Sequence, residues 1–135
     1  QLVFPLHPRT KIRAEQFGLY ERLAAIPNIV LTGPAGYLDF IALMSESKLV
    51  LTDSGGLQEE TTALGIPCLT LRENTERPIT VTEGTNTIVG NNTEVIIDTA
   101  FEVLDNGGKA GRIPEMWDGK TAERIADIIQ RVIEE

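Results

Sequence analysis

The chain has 135 residues, enough for one domain, and its 41% hydrophobic and 24% charged residues are ordinary for a globular protein. A net charge of −8 argues against a basic nucleic-acid surface or a polybasic membrane patch, and no apolar run reaches the length of a membrane span. One cysteine rules out an internal disulfide and a cysteine metal cluster. An acidic chain of this kind can still bind an anion, but only locally, with a few placed donors and helix N-termini.

In chain order, residues 1–6 read as a buried strand, ended by His7-Pro8 because proline cannot continue a central ladder. The start at Gln1 has no polar lead-in and no secretory signal, which predicts a piece of a longer, cytoplasmic protein. Thr10 is placed to cap a helix over about 11–25, with Ile12, Phe17, Tyr20 and Leu23 near one face, stopped by Pro27. Residues 28–32 form a second strand, closed by Gly33-Pro34, and 37–46 a mostly apolar helix. A third strand at 48–52 leads through Asp53-Ser54-Gly55-Gly56 into a helix to about Leu64, with Gly65 as C-cap and Pro67 beyond. Residues 68–71 are a fourth strand, 79–83 a short helix, 86–89 a fifth strand and 93–104 a helix. A glycine-bearing loop at 105–111 and then Asp118-Gly119 precede a last helix at 120–134, with Ala122, Ile125, Ile128, Ile129 and Val132 on its inner face.

Strands without strict alternation, each followed by a helix, predict one α/β domain over residues 1–135, an open doubly wound parallel sheet of Rossmann-like type. Such sheets bind ligands at the carboxyl ends of their strands, which directs attention to His7, Gly33-Pro34, Asp53 to Gly56 and Arg72 to Pro78. Ser54-Gly55-Gly56 opens a helix after a strand. Two residues without Cβ let an anion approach backbone N–H groups, where the helix dipole adds favourable charge. The alternative is a tight turn with an ordinary N-cap, in which the Ser54 hydroxyl caps the helix instead of meeting a phosphate. It is not a P-loop, for the GxxxxGK[ST] pattern is absent. Glu59 and Glu60 follow one turn in. Either they favour the helix N-terminus by charge alone, or one of them accepts both hydroxyls of a ribose. Adjacent helical residues diverge by roughly 100°, so a single carboxylate would serve.

Arg77 offers a planar fork suited to phosphate oxygens, as does Arg72, though a solvated loop arginine is the commoner case. His7, the lone histidine, is either structural or a phosphate donor and proton-transfer group, and no second histidine supports a metal site. Phe40 and Tyr37 could stack on a base or simply pack in the core, and Cys68 reads as a small core residue.

FPLHP at 4–8, LTDSGGLQEE at 51–60, ALGIPCLTLRENTERP at 63–78, EGTNTIVG at 83–90 and WDGKTAERI at 117–125 occur in an order that resembles the C-terminal domain of the non-hydrolysing UDP-N-acetylglucosamine 2-epimerases. Ile79 departs from the glutamate that the family often carries after TERP. The resemblance implies the C-terminal half of a two-domain, glycosyltransferase-B-like enzyme, with the N-terminal half absent here and UDP-sugar in the cleft between halves. It further implies a cytoplasmic isomerase of polysaccharide biosynthesis, a homodimer at full length, needing no metal or redox cofactor and binding neither nucleic acid nor membrane. Residue by residue it implies that Ser54, Gly55 and Gly56 hold the diphosphate, that Glu60 binds the ribose hydroxyls with Glu59 turned away, and that Phe40 borders the uracil pocket. Arg77 and His7 would contact phosphate, His7 with a catalytic part. The implied reaction eliminates UDP to a glycal-like intermediate and re-adds it with C2 inverted, using acid and base carboxylates of the other half. Alternatives are a hydrolysing relative that releases ManNAc, a UDP-sugar glycosyltransferase, or a UDP-binding module without catalysis.

Overall fold

The computed structural model describes residues 1–134. Every strand pairing is parallel, so the α/β architecture stands as read, while the ladders form two groups. In the first, β1 (Leu2–Pro5) lies beside β2 (Ile29–Thr32), with Leu2 opposite Ile29 and Pro5 opposite Thr32. In the second, β3 (Val50–Thr52), β4 (Cys68–Thr70) and β5 (Asn86–Ile88) run in that order, with Thr52 opposite Thr70 and Thr70 opposite Ile88. The described residues divide into two compact units, the first from Gln1 to Ala42 and the second from Leu43 onward.

The first unit contains β1, α1 (Pro8–Gln16), α2 (Leu19–Ala24), β2 and the start of α3 (Tyr37–Ser45). Here the sequence expectation of one helix over 11–25 is corrected. Pro8 sits in the first turn, where its missing N–H costs nothing, so the helix starts earlier than Thr10 allows. The cap is His7, whose Nδ1 accepts from the Arg9 N–H at 3.2 Å. Gly18 then adopts a left-handed φ of 64°, open to a residue without Cβ, and splits the segment in two. Of the four residues expected on one face, Ile12 and Phe17 are exposed while Tyr20 and Leu23 are half-buried, because the break turns the two halves differently.

The second unit contains the three-stranded sheet, α4 (Gly55–Leu64), α5 (Pro78–Thr82), α6 (Thr93–Asn106) and α7 (Thr121–Glu134). Its core centres on the middle strand, where Cys68, Leu69 and Thr70 are all buried. Burial pushes the Cys68 thiol up, as expected of an inert core cysteine. Much of the remaining core is polar: Gln58, Thr61 and Thr62 of α4, Thr80 of α5 and Asn86 of β5 are buried. Close packing fixes several glycines, Gly84 and Gly108 among them. A Cβ on Gly84 would stand 2.4 Å from Thr62 Oγ1, and one on Gly108 would stand 2.5 Å from Pro67 Cβ.

The inner face expected for the last helix is a second correction. Ala122, Ile125, Ile128, Ile129 and Val132 are all exposed, with Ile128 at 59%. An apolar stripe shows that a helix can be covered, and does not by itself say by what. The start of α7 is held by Asp118, which accepts from the Lys120 N–H at 3.0 Å and from Arg124 Nη1 and Nη2 at 3.0 and 2.9 Å. The Arg124 hydrogen bonds, and after them the Lys120 amide, draw the Asp118 carboxyl down to about 2. No described helix is long and apolar enough to cross a membrane.

Candidate functional site

The loop from β3 into α4 is shaped by its own side chains. Buried Thr52, the last residue of β3, accepts the Ser54 N–H on its Oγ1 at 3.0 Å and so turns the chain out of the strand. Ser54 takes the N-cap position in extended geometry, yet its hydroxyl makes no capping hydrogen bond. The Gln58 N–H reaches back to the Ser54 carbonyl at 3.4 Å, and the amides of the first turn before it face out of the helix end. At the far end Gly65 closes α4 with φ 71°, the left-handed cap that its sequence position predicts.

Neither Gly55 nor Gly56 adopts a positive φ. A Cβ on Gly55 would stand 3.8 Å from Arg77 Cγ, and one on Gly56 would stand 4.0 Å from Ser54 Oγ, both ordinary contacts. The protein's own packing therefore does not require glycine at either place, and what these residues provide is an open backbone at a helix N-terminus. Arg77, in the loop after β4, brings its Cγ beside Gly55. Its Nε lies 3.1 Å from Glu59 Oε1, without the alignment of a hydrogen bond, and its Nη1 donates to the Glu76 carbonyl at 3.4 Å. Both partners of the ion pair are about two-fifths exposed, which makes the pair worth at most about 1 kcal/mol. Such a pair yields readily to a stronger anion.

Ser54, Gly55, Gly56 and Arg77 are thus brought together at one helix end. Glu59 lies on the Arg77 side, and Glu60 adjoins it on α4, both half-buried. The two carboxylates line a shallow depression together with Ala63 and Trp117, a residue the motif reading left without a role. Sequence reasoning also left Gln58, Thr75 and Asn86 without roles, although all three lie inside the quoted motifs. They join side chain to side chain behind the helix end. Arg72 is exposed.

His7 and Phe40 belong to the first unit. With Nδ1 accepting from Arg9, a neutral His7 carries its proton on Nε2, leaving that N–H to donate outward. Phe40 is half-buried on α3, its N–H bonded to the Gly36 carbonyl at 2.9 Å, while Tyr37 is exposed and so is no core residue. Among the described residues no group of three or more His, Cys, Asp or Glu side chains could hold a metal ion.

Parallel strands, each feeding a helix and with glycines at a strand-to-helix turn, define a Rossmann-like protein of the glycosyltransferase-B type. The family within that class is shown by sequence: residues 1–130 match the UDP-N-acetylglucosamine 2-epimerase family, and the chain belongs to it. It is 44% identical over 128 residues to the UDP-N-acetylglucosamine 2-epimerase of Methanocaldococcus jannaschii, covering 95% of this chain and 34% of that protein. The crystal structure of that organism's UDP-GlcNAc 2-epimerase with UDP-GlcNAc and UDP superposes with a TM-score of 0.80 at 43% identity, covering 96% of this chain and 35% of the other. The UDP-GlcNAc 2-epimerase of Neisseria meningitidis bound to UDP-GlcNAc gives a TM-score of 0.83 at 34% identity, again over 96% and 35%. A UDP-2,3-diacetamido-2,3-dideoxy-D-glucuronate 2-epimerase of Pseudomonas aeruginosa is 38% identical over 136 residues, 97% of this chain and 35% of that protein. The chain therefore spans about a third of the length of these relatives and corresponds to their C-terminal part.

Proposed function

We propose that this chain supplies the UDP-binding half of a non-hydrolysing UDP-N-acetylglucosamine 2-epimerase. The observation that carries the reading is Arg77 standing beside Gly55 at the open N-terminus of α4. Backbone amides and a helix dipole open there with the Arg77 side chain beside them, the donor set that a diphosphate takes. Ser54, Gly55, Gly56 and Arg77 hold the two phosphates, and Glu60 takes the ribose hydroxyls. Relatives acting on two different UDP-sugars at similar identity to this chain support a half that recognises the shared UDP.

In the reaction a base removes the proton from sugar C2. The anomeric C–O bond breaks, and its electron pair leaves on the β-phosphate of UDP. Negative charge grows on that phosphate, where preorganised donors lower the barrier most. UDP then adds back to the glycal-like intermediate as a proton returns to C2 from the opposite face. The residues of this chain bind and neutralise the leaving group, and the acid and base belong to the remainder of the enzyme. Alone, the 135-residue chain binds UDP weakly and does not turn over.

Calorimetric titration with UDP tests the binding role. Arg77→Ala is expected to cost about tenfold in affinity, and Glu60→Ala more than Glu59→Ala. Equal losses from the two glutamates would remove the ribose role, and no UDP binding at all would remove the reading. Product analysis of the full-length enzyme separates UDP-ManNAc, expected here, from free ManNAc with stoichiometric UDP.

A further inference from the structure

The buried polar side chains behind α4 close into a ring, and Arg77 is part of it. The Arg77 N–H donates to Thr75 Oγ1 at 2.9 Å, and the Thr75 hydroxyl donates to Gln58 Oε1 at 2.5 Å. Asn86 Nδ2 donates to the same Gln58 oxygen at 3.2 Å and to Thr80 Oγ1 at 3.0 Å. The Thr80 hydroxyl then donates to the Arg77 carbonyl at 2.7 Å, which completes the circuit. Thr70 on β4 fixes the orientation of the Asn86 amide by donating to its Oδ1 at 2.7 Å. Each hydroxyl proton is used once and each amide has one consistent orientation. Both backbone polar groups of a single residue, Arg77, are held between four side chains.

The ring spans three elements and one loop: Gln58 on α4, Asn86 on β5, Thr80 on α5 and Thr75 on the loop before Arg77. Gln58, Thr70, Thr80 and Asn86 are all at most 1% exposed. Burying so many polar groups gains little net stability over an apolar core, but once satisfied they fix one geometry. The Arg77 side chain is itself 43% exposed, and among the described residues it makes one weak ion pair, to Glu59, and a long hydrogen bond to the neighbouring Glu76 carbonyl. Its place beside Gly55 is therefore set through its backbone. Gln58 stands on the same helix whose first turn carries Gly55 and Gly56, so the ring ties the arginine directly to the helix end that it adjoins.

We infer that Gln58, Thr75 and Asn86 are positioning residues that hold Arg77 in register with the N-terminus of α4, so that guanidinium and backbone amides meet one diphosphate together. The inference rests on the UDP-binding reading above. Thr75 is the member to test, since it is half-buried and both its hydrogen bonds lie in the circuit. Thr75→Val keeps the shape and removes both bonds, and Thr75→Ser keeps them. On the 135-residue chain, titration with UDP is expected to show about tenfold weaker binding for Thr75→Val and affinity within about twofold of wild type for Thr75→Ser. In an Arg77→Ala background, Thr75→Val should cost nothing further, because the two changes act through one contact. Wild-type affinity in Thr75→Val, or losses that multiply, would overturn the inference while leaving the UDP reading intact. Amide hydrogen exchange provides a measurement without ligand. The Arg77 amide should exchange faster in Thr75→Val than in wild type or Thr75→Ser, while α4 amides stay protected. Unchanged exchange would overturn the ring as an anchor even if no variant bound UDP. Faster exchange in Thr75→Val, together with a wild-type chain that does not bind UDP, would instead remove the phosphate role and the positioning role with it.

Discussion

Helices α4 and α7 invert the simple rule that apolar helices are buried and polar ones are not. The last helix has the cleaner apolar stripe, yet Ile125, Ile128, Ile129 and Val132 along it are more than half exposed. The sequence of α4, GGLQEETTAL, has little stripe at all, yet its Gln58, Thr61 and Thr62 are among the most completely buried residues. Position against the sheet explains the difference. The fourth helix packs on β3, β4 and β5, so whatever it carries must be buried, and polar groups there survive by finding partners. Thr61 donates to the Leu57 carbonyl at 2.7 Å, and Gln58 accepts from Thr75 and Asn86. Thr62 Oγ1 has no partner and is pressed against Gly84, the one member of this group held by packing alone. An apolar stripe thus measures what a helix could bury, and the fold determines what it does bury.

The largest effect expected from this contrast is on the α4 side. Gly84→Ala would drive a methyl to 2.4 Å from Thr62 Oγ1 and 2.7 Å from the Thr80 carbonyl. A loss of about 3 kcal/mol in urea unfolding is expected, and a near-neutral result would show that this core yields more than its packing implies. Gly56→Ala is next. The site is open and the φ ordinary, so helix propensity should raise stability by up to about 1 kcal/mol. UDP binding should fall, because in the proposed binding mode the added methyl stands where a phosphate would approach. Unchanged binding would show that the ligand does not touch that backbone.

On the α7 side the effects should be small. Ile128→Ser, at an already exposed position, should shift stability by less than about 0.5 kcal/mol, measured on the 135-residue chain. A large loss would mean that the stripe is covered in solution. The smallest effect concerns Asp118 at the start of the helix. Its folded-state carboxyl is lowered from 3.8 to about 2, so its contribution is full above that unfolded value and lost as pH falls through the folded one. Helix content followed by circular dichroism from pH 5 to pH 2 should show a small step that Asp118→Asn lacks.

Local chemistry made much of the fold legible. The positions of all five described strands, though not the burial expected of the first, whose Leu2, Val3 and Phe4 are exposed, and the start and Gly65 cap of α4 could be read because Pro and Gly punctuation and strand-to-helix turns act within a few residues. The cap of α1 was misplaced because Thr10 and His7 are both competent caps, and the choice fell to Pro8, which fits the first turn. The convergence of Ser54, Gly55 and Gly56 with Arg77 was anticipated from the placement of all four at the carboxyl ends of strands. The roles of Gln58, Thr75 and Asn86 were not legible, because each of these residues reads locally as an ordinary polar position. Their bonds close over separations of 17 and 28 residues.

By itself, then, the sequence determined the alternation of strand and helix, the open glycine turn before α4 and membership of the epimerase family, since each is encoded in short runs of residues. Only the tertiary structure decided which groups are buried and what they bond to. Those outcomes depend on which side chains the parallel ladder brings together: it put Thr70, Asn86 and Gln58 in one cluster and left the stripe of α7 exposed.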